Sequence, residues 1–218
     1  MEMFLNSKYD KILSLGANCY PKFFISKILK PTYGETELFD YIGTSVWSIN
    51  LLLLNDFKGL YDKNNFELLP ILEGEPHVVT NSKYYLRFKH DLKTVDMVES
   101  ADFQDKIKRR IARFKQNVSK NEHVLFIRHQ ESKTWRLRYN LHENRSEIDE
   151  LGDFIDILYM KYNCKKVTVI YINLEHDGWN ERRDILSIKI DSLDYDWYTA
   201  HNYIKELFET KKVTELLS

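Results

Sequence analysis

A single cysteine, Cys19, stands in Lys11-Ile12-Leu13-Ser14-Leu15-Gly16-Ala17-Asn18-Cys19-Tyr20-Pro21, where an apolar run ends at a glycine and an amphipathic stretch follows. That order predicts a strand, a sharp turn and a helix. A thiol on such a turn lies in the first turn of a helix, where unsatisfied N–H groups and the positive end of the helix dipole favour an anion. Cys19 is therefore placed to act as a thiolate nucleophile. The competing reading is a small buried apolar side chain.

A nucleophilic thiol needs a base, a group that orients the base, and donors for an oxyanion. Ligands of open parallel sheets bind beyond the carboxyl ends of the strands, so the polar residues expected there matter most. His90 and Asp91 follow an expected hairpin, Arg128 and His129 follow a buried strand, and Glu175, His176 and Asp177 follow another. His201, in an expected final helix, is a further candidate base. Gly16 and the Asn18 amide sit where oxyanion donors would be. Asp40 is the lone acid between Phe39 and Tyr41, and either takes part in chemistry or bonds a nearby turn or helix start. Arg110 and Arg113 lie on a basic helix face, which is read either as solvated or as phosphate-binding. No pair of His or Cys residues has close metal-ligand spacing, so no metal is expected. Acyl transfer by a thiol requires no cofactor, although coenzyme A or acetyl-CoA would serve as co-substrate.

The elements that must position these groups follow from periodicity. Phe23, Phe24, Ile28 and Leu29 mark an amphipathic helix that Pro31 closes, and Thr44 or Ser45 can cap a helix over about 45–55. Residues 58–76 read as a long irregular connection with room for short strands or helical turns. His77–Thr80 and Tyr84–Lys89 alternate as a hairpin. Phe103, Ile107, Ile111, Phe114 and Val118 define a helix over about 101–119. The runs His123–His129 and Lys166–Asn173 are apolar enough for strands buried on both faces, with a basic loop over 130–144 and a helix over about 146–162 between them. A strand at 185–190 and a helix from Tyr195 past Phe208 complete the chain. Strands alternating with helices predict one α/β domain over residues 1–218, a three-layer α/β/α Rossmann-like sandwich with a mainly parallel sheet and an inserted β-hairpin.

Composition narrows the function. With 218 residues, 43% of them hydrophobic, the chain can fill one continuous core, and a formal net charge of -1 disfavours general nucleic-acid or anionic-membrane binding. The two cysteines, Cys19 and Cys164, are not a disulfide framework, so a reducing, cytoplasmic setting is expected. The strongest apolar run, Leu51 to Leu54, is far too short to span a bilayer. A small-molecule, saccharide or peptide substrate is the expected partner.

The ordered blocks Ser14-Leu15-Gly16-Ala17-Asn18-Cys19, Leu38-Phe39-Asp40-Tyr41, His90-Asp91, Arg109-Arg110-Ile111-Ala112-Arg113-Phe114 and Leu125-Phe126-Ile127-Arg128 resemble a family of papain-like cysteine peptidases. The resemblance implies Cys19 as nucleophile, His90 as imidazole and Asp40 or Asp91 as carboxylate. Leu38 and Tyr41 depart from it, standing where the family pattern has Pro and Trp. Leu15-Gly16-Ala17-Asn18-Cys19 is also similar, more loosely, to the first block of SGNH-type hydrolases and of capsule acetyltransferases with a Gly-Asn-Cys turn. That likeness implies a Rossmann-like enzyme of acyl groups on saccharides, with its base near the carboxyl end, which favours His201.

Three readings result. The first is a thiol-dependent hydrolase or acyltransferase. The second is a glycosyltransferase-like or nucleotide-sugar-binding module of polysaccharide biosynthesis, with Gly16 to Cys19 cradling a phosphate that Arg110, Arg113 and Arg128 neutralise. The third is a non-enzymatic interaction domain.

Overall fold

The apolar runs become the middle of a parallel sheet in the computed structural model, which describes residues 8–28, 35–70, 77–130, 145–175, 177–180 and 184–190. In chain order the elements are β1 (Lys11–Ser14), α1 (Tyr20–Ile28), α2 (Val46–Leu54), β2 (Phe66–Pro70), β3 (His77–Asn81), β4 (Leu86–Arg87), α3 (Ala101–Lys120), β5 (Val124–His129), α4 (Glu147–Tyr162), β6 (Val167–Asn173), β7 (Gly178–Asn180) and β8 (Ile185–Lys189). The expected final helix, with His201, lies outside the described residues, as does His176.

The main sheet has the order β1-β5-β6-β8-β7, with β1, β5, β6 and β8 parallel and β7 antiparallel at the edge. Register aligns Leu13, Phe126, Val169 and Ile185 in one row across it. The four parallel strands consequently end on the same edge, at Ser14, His129, Asn173 and Lys189. This is the mainly parallel α/β architecture that the alternation of strands and helices predicts.

Side chains alternate across a strand, so Arg128 and His129 point to opposite faces of the sheet. Arg128 bonds Glu147 of α4, whereas His129 meets the ring of Tyr20 on α1. Helices therefore cover both faces. The larger core lies on the Arg128 face, where Phe114 of α3 packs edge-on against Phe39, Phe57 and Tyr162, and Phe126 meets Phe154 with ring centroids 5.0 Å apart. Such rings fill volume and add edge-to-face attraction beyond the area they bury.

Local signals explain where the helices begin and stop. Ser45, Ser100 and Ser146 accept bonds from the N–H groups of Ser48, Phe103 and Asp149, each at a helix start. Glu147, Asp149 and Glu150 place acids in the first turn of α4, and Asn163 ends it in the left-handed region at φ 52°. No helix of the described residues is long and apolar enough to cross a membrane.

Two departures from the sequence expectation are informative. The hairpin is the second half of an antiparallel sheet of order β2-β3-β4, whose first strand lies in the stretch read as irregular. Its last arm is only Leu86–Arg87, because Tyr85 turns to φ 54° and breaks the extended run. On α3 the buried face runs through Phe103, Ile107, Arg110, Phe114 and Val118, so an arginine joins the apolar face that periodicity marks, with Ile111 partly buried against the same core.

His123 at the start of β5 is buried against Tyr9, ring centroids 4.4 Å apart, with Nε2 2.8 Å from Thr168 Oγ1. Burial, helped by the Lys166 charge, lowers its pKa from 6.5 to about 4 despite the nearby Asp10 carboxylate. Unfolding restores the ordinary value, so the unfolded chain takes up a proton first as pH falls. Stability should be full above about pH 6.5 and decline by up to about 3 kcal/mol toward pH 4 from this group. Urea unfolding across that window checks it, and the decline should flatten in His123→Gln.

Candidate active site

The Cys19 turn departs from β1 after one more ladder bond, from Leu15 N–H to the Ile127 carbonyl at 2.9 Å. Gly16 and Ala17 then both adopt the left-handed region, at φ 72° and φ 73°. At Gly16 the requirement is steric as well, because a Cβ would lie 2.8 Å from Thr44 Cγ2 and 3.2 Å from the Ile42 carbonyl oxygen. At Ala17 a methyl-bearing residue is held where only glycine is at ease, a strain of about 1–2 kcal/mol that the surroundings must offset. Asn18 Oδ1 accepts from Tyr20 N–H at 2.9 Å, and the Cys19 carbonyl accepts from Phe23 N–H to start α1.

Two further loops close on this turn. In the first, Asp40 is fully buried; its Oδ2 accepts from Glu37 N–H at 2.7 Å and lies 3.1 Å from Lys22 Nζ on α1. Asp40 thus ties its own turn to the helix that carries Cys19, and Tyr41 follows directly. Paired backbone bonds between Gly43 and Arg87, at 3.0 and 2.9 Å, then bring residues 87–91 alongside. As a result the rings of Tyr41 and His90 meet at 5.5 Å, and the Lys89 charge reaches the Cys19 thiol.

The electrostatics of Cys19 differ from the simple helix-terminus expectation. Burial pushes the thiol up from its ordinary value, and its own backbone N–H and the Lys89 ammonium pull it only partly back. The resting sulfur is therefore a protonated thiol at neutral pH. No hydrogen bond joins it to an imidazole among the described residues. Tyr41 is raised too, by burial first and then by the charges of Asp40 and Cys19.

The remaining candidates divide between site and scaffold. His129 is buried at the end of β5, 5.7 Å from the Tyr20 ring, with Nδ1 3.1 Å from the Gln130 carbonyl oxygen. Asp91 faces cations rather than an imidazole, with Arg110 Nη1 at 2.7 Å and Lys106 Nζ at 3.0 Å. Burial works to raise its pKa, but those two charges outweigh it and hold the carboxyl below the usual range. Arg113 donates to the Thr36 carbonyl and pairs with Glu35. Arg128 has no exposed surface; Nε donates to Glu147 Oε1 at 2.7 Å and Nη1 to the Leu15 carbonyl at 2.9 Å. It acts on the turn from beneath and does not reach a ligand. Among the described residues no His, Cys, Asp and Glu cluster is arranged to hold a metal ion.

Sequence reasoning passed over Tyr41, Lys89, Lys22 and Glu147. Tyr41 and Lys89 each adjoin a residue that was singled out, which is the signal that could have found them. Lys22 and Glu147 carry no local signal, because their partners Asp40 and Arg128 are distant in the chain.

A family model described as "Putative papain-like cysteine peptidase (DUF1796)" matches residues 10–154. No curated protein and no solved structure matches the chain.

Two substitutions test this construction. Gly16→Ala should cost about 2 kcal/mol or more, from left-handed backbone and overpacking against Thr44, read by chemical denaturation. Arg128→Met should cost about 3–5 kcal/mol because it strands the Glu147 carboxylate. Adding Glu147→Leu should recover much of the loss, and a double-mutant cycle measures the coupling.

Proposed function

The chain belongs to the family described as putative papain-like cysteine peptidases, and from that premise we propose that Cys19 is the nucleophile of a thiol-dependent acyl-transfer reaction. The observation that carries the reading is the Cys19 turn itself, strained at Ala17 and set at the carboxyl end of β1, within reach of the charges of Lys89 and Tyr41, whose ring meets that of His90. Strained backbone at such a position is characteristic of functional sites.

The chemistry can be written with its protons. His90, exposed and in contact with Tyr41, takes the thiol proton once a substrate occupies the site and brings base and thiol together. The sulfur attacks the acyl carbonyl carbon, and the oxyanion is held by turn N–H groups and by Asn18 Nδ2, which has no hydrogen-bond partner among the described residues. As the tetrahedral intermediate collapses, the imidazolium returns the proton to the departing amine or alcohol. Water then cleaves the thioester in a hydrolase. A saccharide hydroxyl or the thiol of coenzyme A does so in an acyltransferase. Lys89 favours the thiolate throughout, and the protonated resting state spares the sulfur from adventitious reaction. His129, whose ring meets that of Tyr20 next to Cys19, is the second candidate base.

The phosphate-cradle alternative has less support. Arg110, Arg113 and Arg128 are engaged with Asp91, Thr36 with Glu35, and Glu147 respectively, so each would have to abandon a partner to meet a ligand.

Reaction with p-nitrophenyl acetate, followed by intact and peptide mass spectrometry, tests the proposal. Acetylation should appear on Cys19, disappear in Cys19→Ala, and slow by about a hundredfold in His90→Ala. Its pH midpoint should lie above that of a free cysteine, about 8.5, and move higher in Lys89→Ala. Failure of folded protein to acylate at Cys19, while other nucleophiles react, would overturn the reading.

A further inference from the structure

Away from the Cys19 turn, α2 and α4 leave a half-open groove of about 390 Å³ between them. Helical spacing puts Trp47, Asn50, Leu51 and Leu54 on one wall, and Glu150, Asp153, Ile157 and Met160 on the other. Leu54 and Met160 are 57% and 77% exposed, so the apolar part of the groove meets solvent. The polar part is acidic, because Glu150, Asp153 and Asp156 oppose a single guanidinium, that of Arg145.

Asn50 is the informative residue. It is only 7% exposed, and its Nδ2 donates to the Glu150 carbonyl at 2.8 Å. That bond fixes the amide plane, yet the Oδ1 at its other end is buried with no hydrogen-bond partner. A buried acceptor without a donor is costly, and Asn50 is one of the residues that line this acidic groove with its apolar flank.

We propose that the groove binds a lysine side chain presented by a peptide segment. The ammonium donates to Asn50 Oδ1 and pairs with Asp156, while the aliphatic stem lies along Leu54 and Met160. Lysine fits better than arginine for two reasons. The acceptors are separate atoms on two helices, which suits three donors on one nitrogen, whereas a planar fork needs a bidentate carboxylate. Asp153, the carboxylate that would offer one, is already held by Arg145 at 2.7 Å. A four-carbon stem also covers apolar surface while its charged end reaches polar groups. None of these residues belongs to the Cys19 turn, so the inference stands apart from the thiol chemistry.

Isothermal titration of the full chain with the blocked peptide Ala-Leu-Lys-Leu-Ala, and with its norleucine counterpart, provides the test. The lysine peptide should bind, and the norleucine peptide should bind about tenfold more weakly or worse. Asn50→Leu and Asp156→Lys should each weaken the lysine peptide by about tenfold without altering acylation at Cys19. Asp156 is exposed, so its variant remains informative even if Asn50→Leu unfolds. Equal affinity for the two peptides, indifference to Asp156→Lys, or no binding at millimolar peptide would each overturn the proposal.

Discussion

A guanidinium with no exposed surface anchors the working edge of this protein. Arg128 rises from the end of β5 into the larger core, where it meets Glu147 at the start of α4 and the carbonyl of Leu15 at the end of β1. Tyr171, one strand further along, donates its hydroxyl to the other Glu147 oxygen at 3.3 Å. Burying a charge is expensive unless it is paired and its remaining donors are satisfied. Here Nε and Nη1 are hydrogen-bonded and Nη2 has the Glu147 charge but no hydrogen bond, and the same contacts fix where the chain leaves β1. Everything beyond Leu15, including the Cys19 turn, inherits that position.

Above this anchor the site is assembled from three loops that touch through small residues. Gly16 admits Thr44 and the Ile42 carbonyl, and Gly43 admits the Arg87 backbone and side chain. A side chain at either glycine would separate loops that must lie in contact. Asp40 adds the ionic tie to α1 through Lys22, itself largely buried. The left-handed backbone at Ala17 is tolerated because packing on every side leaves the turn no alternative, which is how strain persists at functional positions.

The electrostatics suit a thiol that waits. Burial keeps Cys19 protonated, and the Lys89 charge supplies only partial compensation. The stronger cations nearby are spent on structure: Arg110 and Lys106 hold Asp91, which in turn fixes the segment carrying His90 to α3. A carboxylate beside an imidazole in sequence is thus tied to a helix across from it. Buried ion pairs thus hold the loops together, apart from Cys19 and His90, for which the chemistry is proposed.

How much of this could be read from the chain depends on how local each cause is. Alternation of apolar runs with amphipathic stretches determined the parallel sheet and the long α3, and residue type determined the Ser45 cap, because period and capping are properties of adjacent residues. The glycine and cysteine after an apolar run likewise determined the strand-turn-helix at Cys19. Sequence could not tell that Arg110 is buried on the core side of α3 beside Ile111, that Asp40 and Asp91 answer to lysine and arginine rather than to histidine, or that burial overrides the helix terminus at the thiol. Those outcomes turn on partners 18 and 19 residues away, as in Lys22 with Asp40 and Arg110 with Asp91, and on the dielectric that packing creates. Spacing along the chain dictates which faces are apolar; only the folded structure decides which charges share the space between them.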